Sequence, residues 1–199
     1  MTTIADKFNI LGVAGSTRPS SYSLQALKMA LANVKRYGAQ VRMVELGKTV
    51  LPLYDPNRES SKEIEYAAEA VSWANAFILA SPDYHGSMSG AIKNFLDYFY
   101  EEFAGKLFGY IVASHEKGLT VMDQMRTAVR QCYGWSMPYG VSINGEQDFE
   151  NNEIANAKLT KRLQMMSRDL IVYGKLIHGQ FMRDLGSSDP HTFAAHYRP

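Results

Sequence analysis

The segment Gly15 to Ser23 reads GSTRPSSYS, with aliphatic hydroxyls at Ser16, Thr17, Ser20, Ser21 and Ser23 and a guanidinium at Arg18. It follows a short apolar run, Phe8 to Ala14 (FNILGVA), and leads into Leu24, Leu27, Ala30, Leu31 and Val34, whose spacing of three and four predicts a helix closed by Gly38. A hydroxyl-rich turn that opens a helix offers an anion free backbone N–H groups and the positive end of the helix dipole. With one arginine added, the chemistry is that of a phosphate cradle. The alternative is a serine-capped turn with Arg18 in water; the place directly behind a buried strand favours the cradle. After Gly15 the next glycine is Gly38, so no G-x-G-x-x-G is present, and no Gly-Lys-Ser/Thr closes the loop. A mononucleotide phosphate therefore suits it better than NAD or ATP held by those motifs.

Two further loops carry usable groups. SPDYHGSMSG, Ser81 to Gly90, sets the flat faces of Tyr84 and His85 beside Gly86 and Gly90, which allow close backbone approach. A flat heterocycle would fit there; taken alone, the loop reads rather with Tyr84 as a packing residue and His85 as an exposed loop residue. Ser114-His115-Glu116-Lys117-Gly118 is the other loop. One histidine and one carboxylate without further spaced ligands predict no metal site. Cys132, on an expected helix, reads as a buried thiol and a poor nucleophile.

These loops need strands to hold them. Val41 to Leu46, Ala76 to Ser81, Leu107 to Ser114 and Met137 to Ile143 join Phe8 to Ala14 as expected strands. Helical patterns cover Ile64 to Trp73, Ala91 to Phe103, Val121 to Tyr133, and Glu153 to Tyr173 and on towards Ile177. Strands alternating with helices predict an α/β fold, a doubly wound five-stranded parallel sheet with helices on both faces. In such a sheet ligands bind at the carboxyl ends of the strands, which selects the three loops. Residues 1–183 read as a single domain and residues 184–199 as a tail without periodicity.

Composition agrees with small-molecule chemistry. Of 199 residues, 46% are hydrophobic and 21% charged, which excludes a disordered chain. A net charge of +1 supplies no broad field for nucleic acid or an anionic membrane. Cys132 alone excludes an intrachain disulfide and a cysteine metal cluster and fits a reducing, cytoplasmic setting. Asp6 and Lys7 precede the first apolar run, and no stretch approaches the roughly 18 apolar residues of a membrane span, so neither secretion nor insertion is expected.

GSTRPSS (Gly15 to Ser21) with Ser23, and SPDYHGSMSGAIKNFLDY (Ser81 to Tyr98), together resemble the NADPH-dependent FMN reductase family of flavodoxin-like proteins, which includes quinone, chromate and azo-compound reductases. The resemblance extends to element order over nearly the whole chain. It implies strand order 2-1-3-4-5, FMN as cofactor, and NADPH or NADH as co-substrate. By it, Ser16, Arg18, Ser21 and Ser23 would hold the FMN phosphate, and Pro82, Asp83, Tyr84 and His85 would line the isoalloxazine ring. Gly15, Thr17, Ser20, Gly86, Ser87, Ser114 and Gly118 complete the candidate cofactor-binding set, and no catalytic side chain is required because the cofactor carries the chemistry. Three places depart from the family pattern. Asp83 stands for a longer acid or an amide, His85 for asparagine, and Ser114 to Gly118 for a glycine-rich run.

The expected reaction passes hydride from NAD(P)H through FMN to a small-molecule electron acceptor such as a quinone, free flavin, azo compound or metal oxyanion. The alternative is a flavodoxin-like electron carrier without its own turnover. Such carriers are, by the same resemblance, strongly acidic, and a pI near 7.8 argues against one. A weaker third reading is a hydrolase or transferase using the cradle for a substrate phosphate. A homodimer or homotetramer is expected, because Phe95, Tyr98, Phe99, Tyr100 and Phe103 run almost all round one expected helix. By the resemblance this helix, which includes Lys93 and Asp97 as an exposed ion pair, lies at a subunit interface.

Overall fold

Ile10, Leu11, Val13 and Ala14 alternate between the two faces of β1 (Asn9–Ala14), and all four are buried, as a strand covered on both sides requires. The computed structural model describes residues 8–151 and 153–198; Asp6 and Lys7 lie outside the described residues. β1 pairs in parallel with β2 (Gln40–Glu45) on one side and β3 (Ala76–Pro82) on the other, and β3 pairs with β4 (Leu107–Ala113). Beyond β4 lie β5 (Trp135–Ser136) and β6 (Val141–Ile143), both parallel to it, so the order is β2-β1-β3-β4-β5 with β6 also on β4. The expected doubly wound order is present. The fifth strand, expected unbroken over Met137 to Ile143, is two pieces. Pro138 between them has no N–H to give a ladder, and Gly140 passes so close to the Tyr110 carbonyl that a Cβ would stand 3.1 Å from it.

Helices α1 (Tyr22–Arg36), α2 (Lys62–Trp73), α3 (Gly90–Asp97) and α4 (Leu119–Gln131) follow the strands, with a short α5 (Gly145–Asp148) before the long α6 (Ala157–Leu185). On one face Leu27, Leu31, Leu163 and Leu170 of α1 and α6 cover Ile10, Ile78 and Ile111. On the other, Val71, Ile92, Phe95, Met125 and Val129 cover Leu11, Phe77, Leu79 and Phe108. Ion pairs decide little here. Lys93 and Asp97 do pair on α3, but an exposed pair contributes a few tenths of a kcal/mol against about 1.5–3 for burying Phe95 or Ile92.

α3 stops at Asp97, short of the expected Phe103, and Glu101–Phe103 forms a separate 3₁₀ turn. Aromatic packing explains the break. Phe95 meets Phe99 at 5.1 Å between centroids, Phe99 meets Phe103 at 5.9 Å, and Phe103 meets Phe77 and Phe108 at 5.3 and 5.1 Å. Phe95, Phe99 and Phe103 are thus buried within one chain, and Tyr100 remains half exposed. The aromatic surface expected to face another subunit is largely internal, so it gives no argument for assembly.

Before α6 stands a hairpin, β7 (Phe149–Glu150) with β8 (Glu153–Ile154), inside the segment expected to begin the closing helix. α6 runs to Leu185, beyond the fading of its apolar pattern near Ile177. The residues expected as a tail from 184 start inside α6 and turn back as a 3₁₀ helix, Phe193–Tyr197, whose Phe193 and Tyr197 rings pack on Phe181 and Tyr133. Arg198 Nη2 donates to the Asp184 carbonyl and to Ser187 and Thr192 hydroxyls, which docks the segment. Among the described residues no helix is long and apolar enough to cross a membrane.

Candidate functional site

At the carboxyl ends of β1, β3, β4 and β6 the loops enclose an open-sided cavity of about 610 Å³. Its first wall is the loop before α1. Ser21 caps the helix, its Oγ accepting the Leu24 N–H at 3.3 Å, so the N–H groups of Tyr22 and Ser23 at the first helical positions have no acceptor within the helix. Ser23 is buried, yet its hydroxyl meets only Ser21 Oγ, at 3.4 Å. Ser16 is buried too and accepts the Arg18 N–H at 3.2 Å. Ser16, Arg18, Ser20, Ser21 and Ser23 all line the cavity, and among the described residues Arg18 has no acidic partner. Hydroxyls, two free amides and a guanidinium without an acidic partner make a donor set of the kind that suits an anion.

Gly15 and Thr17 stand outside that wall. The Gly15 N–H donates to the Ala80 carbonyl at 2.8 Å and its own carbonyl accepts from Ser89 Oγ at 2.7 Å. A Cβ on Gly15 would lie 2.2 Å from Ile92 Cγ1, so its bare backbone lets the loop close on α3. Thr17 is exposed, with its backbone against Gly47.

Pro82, Asp83 and Tyr84 form the second wall. His85 and Gly86 have φ of 57° and 76°, and Tyr84 and Ser87 exchange backbone hydrogen bonds of 3.0 and 3.1 Å around them. A two-residue turn with positive φ at both positions favours Asn-Gly, and histidine is among the other residues enriched there. That explains how His85 can occupy an asparagine position: the backbone needs it to turn, and its ring does not line the cavity. Gly86 and Ser87 also stay out of the lining. Gln124 on α4 holds them, accepting from Ser87 Oγ (2.9 Å) and the Met88 N–H (3.1 Å) and donating to the Gly86 carbonyl (3.3 Å). Asp83 Oδ1 accepts the Gly86 N–H and Oδ2 accepts the Ser114 hydroxyl, each at 2.8 Å. Both carboxylate oxygens therefore serve to tie this turn to the loop after β4.

The third wall combines Ala113, Ser114 and His115 with Gly145 and Glu146 from the loop after β6. Gly118 stays outside: it is buried with φ 60°, and a Cβ there would stand 2.5 Å from Val112 Cγ1. Asn144 Nδ2 donates to the His115 carbonyl at 2.9 Å and joins the two loops. Tyr22 closes the corner between this wall and the first, its ring 4.7 Å from that of Phe149. Tyr22, Ala113, His115, Gly145 and Glu146 lie outside the set that the sequence alone suggests. Asn144-Gly145 at the end of the last strand is the available sign, a turn-forming pair at a strand's carboxyl end.

The chain is 30% identical over 139 residues to an NADPH azoreductase of a Bacillus species, spanning 66% of this chain and 78% of that one. It is also 30% identical over 98 residues to an NAD(P)H-dependent FMN reductase of Pseudomonas aeruginosa, covering 48% of this chain and about half, 51%, of the relative. Among solved structures, the flavoenzyme NAD(P)H:(acceptor) oxidoreductase FerB of Paracoccus denitrificans superposes with a TM-score of 0.72 at 16% identity, over 85% of this chain and 98% of that one, a likeness of fold. The family model described as NADPH-dependent FMN reductase matches residues 8–148, and over that majority of its length, including all three walls of the cavity, the chain belongs to this family of oxidoreductases.

Proposed function

We propose that the cavity holds FMN and that the protein passes reducing equivalents from NADPH or NADH through it to a small-molecule acceptor: a quinone, free flavin, azo compound or metal oxyanion. The observation that carries the reading is the pairing, in one open-sided cleft, of an anion receptor on α1 with the Pro82–Tyr84 turn. Ser16, Arg18, Ser20, Ser21 and Ser23, with the Tyr22 and Ser23 amides, fit the phosphate; Pro82, Asp83, Tyr84 and Ser114 fit the ring. When bound, FMN supplies the capacity to take hydride from a nicotinamide and give it to an acceptor. The chain's part is to bind and orient. Burial of Ser16 and Ser23 fixes their hydroxyls before the phosphate arrives, and Arg18 balances its charge. The Asp83 bridge keeps the turn and the loop after β4 at a set separation, and the open side admits solvent as the proton source.

Absorbance of the purified protein before and after NADPH tests this. Flavin bands that bleach on reduction, with a heat-released cofactor that comigrates with FMN, are expected; a colourless protein or recovered FAD refutes it, and bound flavin with negligible turnover favours an electron carrier. A homodimer or homotetramer belongs to the same reading, supported by a mostly apolar hollow of about 890 Å³ between α3 and α4 with Leu119 59% exposed at its edge. Light scattering at the 22.3 kDa of one chain would refute it. The single cysteine supports a cytoplasmic setting.

A further inference from the structure

The proposed cofactor contacts leave unused the one acidic side chain of the third wall, Glu146, in the loop and short α5 turn after β6. That loop is held from several sides. The Asn144 N–H donates to Asp148 Oδ2 at 2.8 Å, and buried Asp148 accepts Asn156 Nδ2 at 2.6 Å on its other oxygen. Asn144 Nδ2 reaches the His115 carbonyl, and Gly145 lies so close to the Tyr22 ring that a Cβ would come within 1.9 Å of it. Glu146 is therefore set at the cavity wall by its backbone, with its side chain 79% exposed. His115 Nδ1, 4.0 Å from Glu146 Oε1, is too far for a hydrogen bond. The other acid in the wall, Asp83, has both oxygens engaged within the protein, and Arg18 is matched to the phosphate.

We propose that Glu146 selects by charge among the acceptors that reach the ring end of the cleft, where the dihydronicotinamide of NAD(P)H is itself uncharged, admitting neutral and cationic acceptors and opposing anionic ones such as aryl sulfonates and metal oxyanions. This rests on the flavin reading of the cleft and narrows its acceptors towards uncharged quinones. A negative charge on the cavity wall repels a like charge entering beside it, and because the carboxylate is exposed, salt weakens the effect.

The test uses the flavin-loaded protein and its Glu146→Gln variant. Each is titrated with naphthalene sulfonate and with the neutral naphthalene sulfonamide, followed by perturbation of the flavin absorbance at low and high salt; kcat/KM for a sulfonated and a neutral naphthoquinone gives a second readout. Glu146→Gln is expected to raise anion affinity relative to the neutral partner by roughly threefold or more at low salt. Added salt should narrow the anion penalty in the parent and leave the variant nearly unchanged. An unchanged anion-to-neutral ratio overturns the proposal. So does a gain confined to FMN affinity of the apoprotein, which would place the charge at the cofactor. Absence of flavin from the purified parent refutes the cofactor reading beneath it, whereas bound flavin with an unchanged ratio refutes this inference alone.

Discussion

Replacing Gly15 by alanine should loosen the fold and the cleft together. An added Cβ would stand 2.2 Å from Ile92 Cγ1 and 2.9 Å from Ser89 Oγ, while ordinary contact begins near 3.4 Å, so more than an ångström must be found. Ile92 is fully buried between α3 and the sheet, so it can yield only by pushing on core neighbours. Gly15 is not among the positive-φ residues, so the cost is steric rather than one of backbone conformation. Overpacking of this kind costs about 1–3 kcal/mol, and weakening the Ser89 hydroxyl's bond to the Gly15 carbonyl adds roughly 0.5–1.5 kcal/mol. Urea unfolding should thus lose about 2–4 kcal/mol, which at a slope of about 2 kcal/mol/M moves the midpoint down by roughly 1–2 M. Displacement of Ser16, the next residue, should weaken FMN binding in the same protein. A midpoint indistinguishable from the parent's would show that the close approach of loop and helix is not a constraint.

Arg18→Ala should weaken FMN binding by about 1.5–3 kcal/mol, the scale of a hydrogen bond to a charged group; unchanged affinity in an intact fold would remove Arg18 from the phosphate site. His85→Asn should be near neutral to stability, while His85→Val, which forces a β-branched residue to φ 57°, should cost about 1–3 kcal/mol; equal stabilities would contradict the backbone role given to His85. Varying NADPH at several fixed quinone concentrations should give parallel double-reciprocal lines, since one open side serves both substrates in turn, and intersecting lines would demand a second site. Lys106, whose Nζ donates to the Val71 carbonyl at 3.0 Å, has its pKa lowered by burial to about 8 from 10.5, against a smaller opposing pull from Glu102. Between those values the unfolded chain binds more protons, so stability should rise from pH 8 to 10, and Lys106→Met should flatten that rise; the same slope in the variant would assign the effect elsewhere.

The strands of the sheet are legible in the sequence because buried parallel strands write themselves as apolar runs, as Ala76 to Ser81 and Leu107 to Ala113 do, whereas their order comes from the family resemblance. The same signal fails at the edge. β5 and β6 carry a proline and a glycine between them, and a strand with one neighbour tolerates that break. Ser16 to Ser23 announces the first wall because an anion site at a helix start uses residue types that turns and caps share with few other settings. Of the third wall only Ser114 is legible, since Tyr22 and Gly145 become neighbours only when α1 packs beside the end of β6. Asp83 is half legible: sequence shows a carboxylate in a ligand loop, and it does line the cavity, whereas the Gly86 N–H and the Ser114 hydroxyl that its oxygens accept come together only in the fold.

The walls of the cleft are positioned by side chains that stay out of it. Ser89 binds the Gly15 carbonyl while capping α3, Gln124 satisfies three groups of the Tyr84–Met88 segment, and Asp148 with Asn144 closes the last loop. Each pairs backbone groups that a loop leaves without partners, and leaving such a group unpaired on burial costs about 1–3 kcal/mol. An exposed contact as long as the 4.0 Å between His115 Nδ1 and Glu146 Oε1 is worth at most about 1 kcal/mol and often nothing. These backbone pairings therefore fix the shape of the cleft, and the charges at its mouth contribute almost nothing to the fold. Glu146 is consequently free to act on whatever enters, which is the physical condition for charge selection at the rim to be altered without disturbing the cofactor cradle beneath it.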